Sequence, residues 1–240
     1  MRLGLLSVVL AAATITGSLA SVPDTASAAP ISVTDPRATD PRANSSVVAN
    51  PVTVPMATNA LAPVVTASAS DALDSYDRWV ATDDAASYRS FVSLRTQTAQ
   101  YAAAELGYAQ DQMVEAWAST PIAHQVAVLA AMTQVGVPYR RNTSQEGVGF
   151  DCSGITTFAW ARAGVSLVRQ SSAQIRNAAS VDRSAAKAGD LVQYPGHVMM
   201  YLGVGDAIIH SVMTGRTVEL DTISSRRTNS VRFGDPSPGA

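Results

Sequence analysis

The hydrophobic period of this chain changes once, and that change limits the folds open to it. Between Asp71 and Gly164 apolar residues recur at helical spacing, as in Leu73, Tyr76 and Val80, then Tyr88, Phe91, Val92 and Leu94. Tyr101, Leu106, Met113 and Trp117 extend the set, and Val126, Leu129, Ala130 and Met132 form the next apolar face. Beyond Gly164 the period falls to two. Leu191–Tyr194, His197–Leu202, Ala207–His210 and Thr217–Leu220 read as short strands, with turns at Gly196, Gly203-Val204-Gly205 and Gly215. Helices followed by an antiparallel meander imply an α+β fold. Gly107 predicts a break between two helices of a hairpin, and Thr120-Pro121 predicts a capped helix start.

The residues before Asp71 do not join this pattern. Residues 1–28 have one early charge, Arg2, then a short apolar run and the small-x-small sequence Ala26-Ser27-Ala28. That is the layout of a signal peptide, and its apolar core is shorter than the ~20 residues needed to cross a bilayer. Residues 29–70 are rich in Ala, Pro, Ser, Thr and Val, with Pro30, Pro36, Pro41, Pro51, Pro55 and Pro63 interrupting any helix. They are expected to form a disordered tether. The remaining divisions are a helical extension over 71–119, a catalytic domain over 120–226 and a frayed tail over 227–240. The extension reads as a packing partner, a targeting module or a cover over a cleft. Amphipathic helices usually serve as core partners, which favours the first.

Formal net charge is -2 and the charged residues are scattered, so the basic stripe of a nucleic-acid binder is missing. The expected mature protein is secreted or wall-associated, monomeric, and not inserted in a membrane. It contains one cysteine, Cys152. A single thiol in an exported chain cannot form an internal disulfide, and it invites a chemical explanation. Cys152 stands where the chain enters a helix. There the unpaired N–H groups favour a thiolate and could hold an oxyanion. Gly154 offers space for a substrate backbone. A thiol nucleophile needs a base. Of three histidines, His124 lies within a helix and reads as surface or structural. His197 opens a strand after Pro195-Gly196, and His210 ends the next strand, so a hairpin would bring them together. His210 could then orient His197. No CxxC or HxxxH spacing supports a metal, and no cofactor is expected.

Five pieces occur in order: Gly149-Phe150-Asp151-Cys152-Ser153-Gly154; Leu167-Val168-Arg169-Gln170-Ser171 with Gln174; Ala188-Gly189-Asp190-Leu191-Val192; His197-Val198-Met199-Met200-Tyr201-Leu202-Gly203; and Ile208-Ile209-His210. The series resembles the NlpC-type (NlpC/p60) cell-wall endopeptidases over Pro121 to about Asp221. The resemblance implies a papain-like fold with Cys152 as nucleophile, His197 as base and His210 as orienting residue. It also implies hydrolysis of peptidoglycan stem peptides, often between D-glutamate and diaminopimelate, with Tyr139, Asp151 and Ser153 recognising the peptide. Arg169 could meet a substrate carboxylate or serve as a structural ion-pair partner. The chain departs from the family pattern at Arg140-Arg141-Asn142-Thr143-Ser144, Val168, Met199 and Met200, which leaves the bond cleaved open. The alternatives are a thiol amidase or acyltransferase on wall components, and a non-catalytic wall-binding protein.

Overall fold

The computed structural model describes residues 59–239. The expected signal peptide and most of the expected tether lie outside them. Helix α1 (Ala62–Thr82) nevertheless begins inside the stretch read as tether. Pro63 falls in its first turn, where the missing N–H has no helical partner to lose, so this proline starts a helix rather than breaking one. An earlier turn, at Asp83, which is left-handed at φ 54°, and Asp84, whose carboxylate caps α2 (Ala85–Leu106) by accepting from the N–H groups of Ala86 and Ser87, separates the first two helices. Gly107 separates two helices as expected: it ends α2 in the left-handed conformation at φ 72°, before α3 (Gln110–Ala118). Helix α4 (Ile122–Met132) follows. The Thr120 hydroxyl donates back to the Trp117 carbonyl, and Pro121 takes the cap position.

A short hairpin, β1 (Ser144–Gln145) with β2 (Gly149–Phe150), leads into α5 (Cys152–Arg162). Helix α6 (Ser171–Asn177) comes next, then six strands: β3 (Ala179–Val181), β4 (Leu191–Tyr194), β5 (His197–Tyr201), β6 (Ala207–Ser211), β7 (Val218–Thr222) and β8 (Arg232–Asp235). They form one antiparallel sheet in the order β3-β8-β4-β5-β6-β7. The fold is α+β, with helices packed on an antiparallel sheet. The segment expected to fray supplies β8, which lies between β3 and β4, with Phe233 buried. Four residues flanked by polar turns carry too little pattern to stand out in the sequence.

Side chains alternate across the sheet. Val198, Met200, Leu202, Ile209 and Leu220 join the main core, which also holds Val65, Phe91, Trp117, Leu129, Ile155 and Trp160. Val192, Met199, Tyr201, Ile208 and Phe233 form a smaller cluster on the other face. The helical extension shares the main core. Trp117 is 1% exposed, and its indole N–H donates to the Leu202 carbonyl at 3.0 Å. Arg95 donates to Gln125 at 2.6 Å, Asp77 pairs with Arg162, and the Tyr108 hydroxyl accepts from Asp206 N–H. The edge of β7 is also closed from this side. The Asn59 amide donates to Leu220 O at 3.0 Å and accepts from Leu220 N at 2.8 Å, substituting for a neighbouring strand.

His124 is fully buried, which settles its character as structural. Its Nε2 is 3.3 Å from Asp190 Oδ1 and 3.2 Å from Asp235 Oδ1, and its ring meets Trp160 edge-on at 4.9 Å. It ties α4 to the turn before β4 and to the end of β8. Among the described residues, no helix is long and apolar enough to cross a membrane.

Because the extension and the sheet bury one core together, a chain beginning at Thr120 is expected to lose cooperative unfolding. In the full chain, Trp117→Ala should cost about 3–5 kcal/mol, read from urea denaturation. An unchanged midpoint in either would contradict the shared core.

Candidate active site

Cys152 is the first residue of α5, and Asp151 is its cap. One Asp151 oxygen, Oδ1, accepts from Gly154 N–H at 2.8 Å and lies 2.8 Å from Arg169 Nη1; the Ser153 hydroxyl donates to it at 3.3 Å. The other, Oδ2, accepts from Asn142 N–H at 2.8 Å. Arg169 also donates to Ser153 Oγ and to the Thr143 carbonyl, each at 2.8 Å. Of the two readings open for Arg169, the structure provides the ion-pair partner. Gly154 is explained in the same way. A Cβ there would sit 2.1 Å from the Thr143 carbonyl oxygen, so the backbone that approaches this glycine is the protein's own. Asp151, Ser153 and Arg169 line a cavity of about 440 Å³ with Asn142, Gln170 and Ser171.

The two strand histidines meet as the hairpin reading required. His197 Nε2 and His210 Nδ1 are 2.8 Å apart, with the rings edge-on. Both side chains are buried, at 8% and 7% exposure. The backbone N–H groups of Val198, the residue after His197, and of Ser153 are near enough to the Cys152 thiol to favour its ionised form. Two tyrosines border this group. Tyr194 packs against the His197 ring at 5.3 Å, and the Arg227 guanidinium lies 5.0 Å from the Tyr194 ring centre. Tyr139 is near enough to Cys152 and Asp151 for their charges to add to the burial that raises its hydroxyl. Tyr194 gave no signal in the sequence beyond being the last residue of a strand. Its register opposite His197 is what brings it to the site.

The helix entry does not lower the Cys152 thiol overall. Burial pushes it up, and the N–H groups of Val198 and Ser153 offset only part of that. His197 moves the other way. Burial first, then the neighbouring His210, pulls it down to about 3. At neutral pH the pair is therefore a thiol beside a neutral imidazole rather than a preformed ion pair. A neutral imidazole in this place can take a thiol proton as attack begins. With Ser153 N–H near the sulfur and Gly154 N–H on Asp151, the N–H of Cys152 is the first-turn donor left for a developing oxyanion.

One group of donor atoms could in principle accept a cation: His124, Asp190 and Asp235 place one each within 4.8 Å of one another. Their bonds are already used. His124 Nε2 meets both carboxylates, Asp190 Oδ2 accepts from Lys187 N–H, and Asp235 Oδ1 accepts from Ser237 N–H. His124 Nδ1 is buried without a partner, whereas a ligating imidazole normally donates through its second nitrogen.

Comparison with known proteins finds similarity over part of the chain. The NlpC/P60 family model matches residues 136–234. Murein DD-endopeptidase MepH of Escherichia coli is 33% identical over 112 residues, covering 42% of this chain and 41% of that protein. A gamma-D-glutamyl-L-lysine dipeptidyl-peptidase of Bacillus cereus is 36% identical over 94 residues, covering 36% of this chain and 28% of that protein. A crystal structure of an NlpC/P60 family protein from Bacillus cereus aligns at 29% identity and a TM-score of 0.45, over 50% of this chain and 41% of that one. The chain thus spans less than half the length of these relatives. Residues 136–234, which hold the cysteine, both strand histidines and almost all of the sheet, are an NlpC/P60 family domain.

Proposed function

We propose that this protein is a secreted or wall-associated thiol peptidase that hydrolyses peptidoglycan stem peptides, with Cys152 as nucleophile, His197 as base and His210 as orienting residue. The observation that carries the reading is the contact chain at the helix entry. The sole thiol sits against the backbone next to His197, and the Nε2 of that histidine is engaged by His210 at 2.8 Å. The relatives named as a murein endopeptidase and a gamma-D-glutamyl peptidase supply the substrate class. The bond between D-glutamate and the third residue of the stem is the specific target proposed.

Nδ1 of His197 takes the thiol proton as sulfur attacks the peptide carbonyl, and the Cys152 N–H faces the oxyanion. The imidazolium returns that proton to the departing amine, leaving a thioester. Water, activated by the same nitrogen, then releases the acid and restores the thiol. The step starts from two neutral partners, so proton transfer and attack are coupled.

Cys152→Ala should abolish release of stem-peptide fragments, detected by mass, while leaving the unfolding midpoint close to wild type. His197→Ala should reduce turnover as severely, because the two residues act as one unit. Fragments of unaltered mass and yield from the Cys152 variant would remove it as nucleophile. Product masses also separate cleavage within the peptide from cleavage at the sugar–peptide amide.

A second test follows from the depressed imidazole. The unfolded chain binds a proton at His197 near pH 6.5 and the folded chain only near 3. The folded state therefore loses stability as pH falls through that window, at up to about 1.4 kcal/mol per pH unit. His197→Gln removes this contribution. Between pH 7 and 5 the wild type should lose more unfolding free energy in urea than the variant, and parallel curves would show that the imidazole is not held neutral.

A further inference from the structure

Nε2 of His210, the nitrogen turned away from His197, is buried and has no aligned hydrogen-bond partner. It lies 3.5 Å from Oδ2 of Asp221. The register explains the approach. Ile208 pairs with Asp221 and His210 with Glu219 across β6 and β7, so His210 and Asp221 are diagonal neighbours on one face of the sheet. Glu219, directly opposite His210, has its carboxylate engaged by Arg216 and by the N–H and hydroxyl of Thr217. Asp221 has no comparable claim on its outer oxygen: Oδ1 accepts from Thr222 N–H at 2.7 Å, and Oδ2 faces the imidazole.

We infer that Asp221 is a fourth member of the site, a positioning residue that fixes the tautomers of both histidines and so determines which nitrogen of His197 meets the thiol. The argument is one of donors and acceptors, and it rests on the assignment of Cys152 and His197 above. An ionised carboxylate can only accept. Contact with His210, more than any other influence, holds Asp221 below the usual carboxylate range, which favours the ionised carboxylate facing the ring. The proton of neutral His210 is therefore on Nε2, facing Asp221, which leaves Nδ1 as a lone pair. That lone pair is 2.8 Å from Nε2 of His197, which must supply the hydrogen. With its proton on Nε2, neutral His197 has its free lone pair on Nδ1. Each link removes one choice, so one surface carboxylate sets a state two rings away. Without it His210 can take either tautomer, and the one protonated at Nδ1 would turn the base nitrogen of His197 toward His210 instead of the thiol. The 3.5 Å separation shortens to a hydrogen bond when charge develops on His197, which is when orientation is needed.

Asp221 is 47% exposed at its side chain, so removing it should disturb the site more than the fold. The test uses the full chain labelled with 15N-histidine, in wild-type, Asp221→Ala and Asp221→Asn forms. Long-range 1H–15N spectra near pH 7 report the protonated nitrogen of each ring. Wild type should show His197 and His210 both protonated on Nε2. Asp221→Ala should show mixed or inverted tautomers at both, with thermal midpoints alike. Alkylation by iodoacetamide reads the activation of the chain's one cysteine without any substrate. It and kcat on a stem tripeptide should both fall roughly tenfold to a hundredfold in Asp221→Ala, with KM little changed. Asp221→Asn, which retains a carbonyl acceptor, should recover part of the loss. Unchanged tautomers in Asp221→Ala would overturn the proposal, as would shifted tautomers with an unchanged alkylation rate. If no form of the protein cleaves the peptide, the hydrolase assignment fails, while tautomers and alkylation still decide the role of Asp221.

Discussion

The carboxylate of Asp151 joins three segments of the chain at one point. It caps the helix that starts at Cys152, draws in the loop at Asn142, and binds the Arg169 guanidinium, which in turn holds the Thr143 carbonyl. A reactive side chain at the first residue of a helix is only as well placed as the backbone entering that helix. Here the entry is fixed from the cap, from the upstream loop and from the arginine before α6. The close approach of Thr143 to Gly154 shows how tightly the loop is pulled in, since no side chain larger than hydrogen fits between them. The charge of Asp151 raises the thiol slightly, so its contribution is geometric rather than electrostatic.

Burial supplies the chemistry that this geometry positions. The sulfur and both imidazoles lie where water is scarce, and desolvation moves the thiol up and His197 down. A thiolate is the form most open to oxidation, and burial works against it here. The site depends on orientation more than on prior ionisation, which is why the hydrogen-bond partners beyond His197 carry weight.

Much of this was legible from the residues. The change of period gives helices followed by an antiparallel sheet, and the placement of two histidines at strand ends anticipates their contact. What escaped has definite causes. Pro63 was read as a break, yet a proline in the first turn belongs to the helix it starts. The Asp83-Asp84 turn contains no glycine or proline to mark it. His124 sat on a helix between small and polar residues, and only the two distant carboxylates that meet it made it a core residue. Asp221 could not be found from spacing, because its partner is set by strand register, and register is a property of pairing rather than of either segment alone.

The position of β8 affects how the molecule is made. Its four residues come after every other strand in the sequence, but they fill an interior row of the sheet, joining β3 to β4. While that row is empty, β3 has no neighbour, β4 has a bare edge, and Asp235 is not yet in place beside His124. The sheet therefore cannot close progressively from the N-terminus. It waits for β8, and until that strand is in place β4 presents an open edge to any other chain nearby. Loss of β8 would hold the protein in that unfinished state, and a partner able to occupy the gap would keep it there.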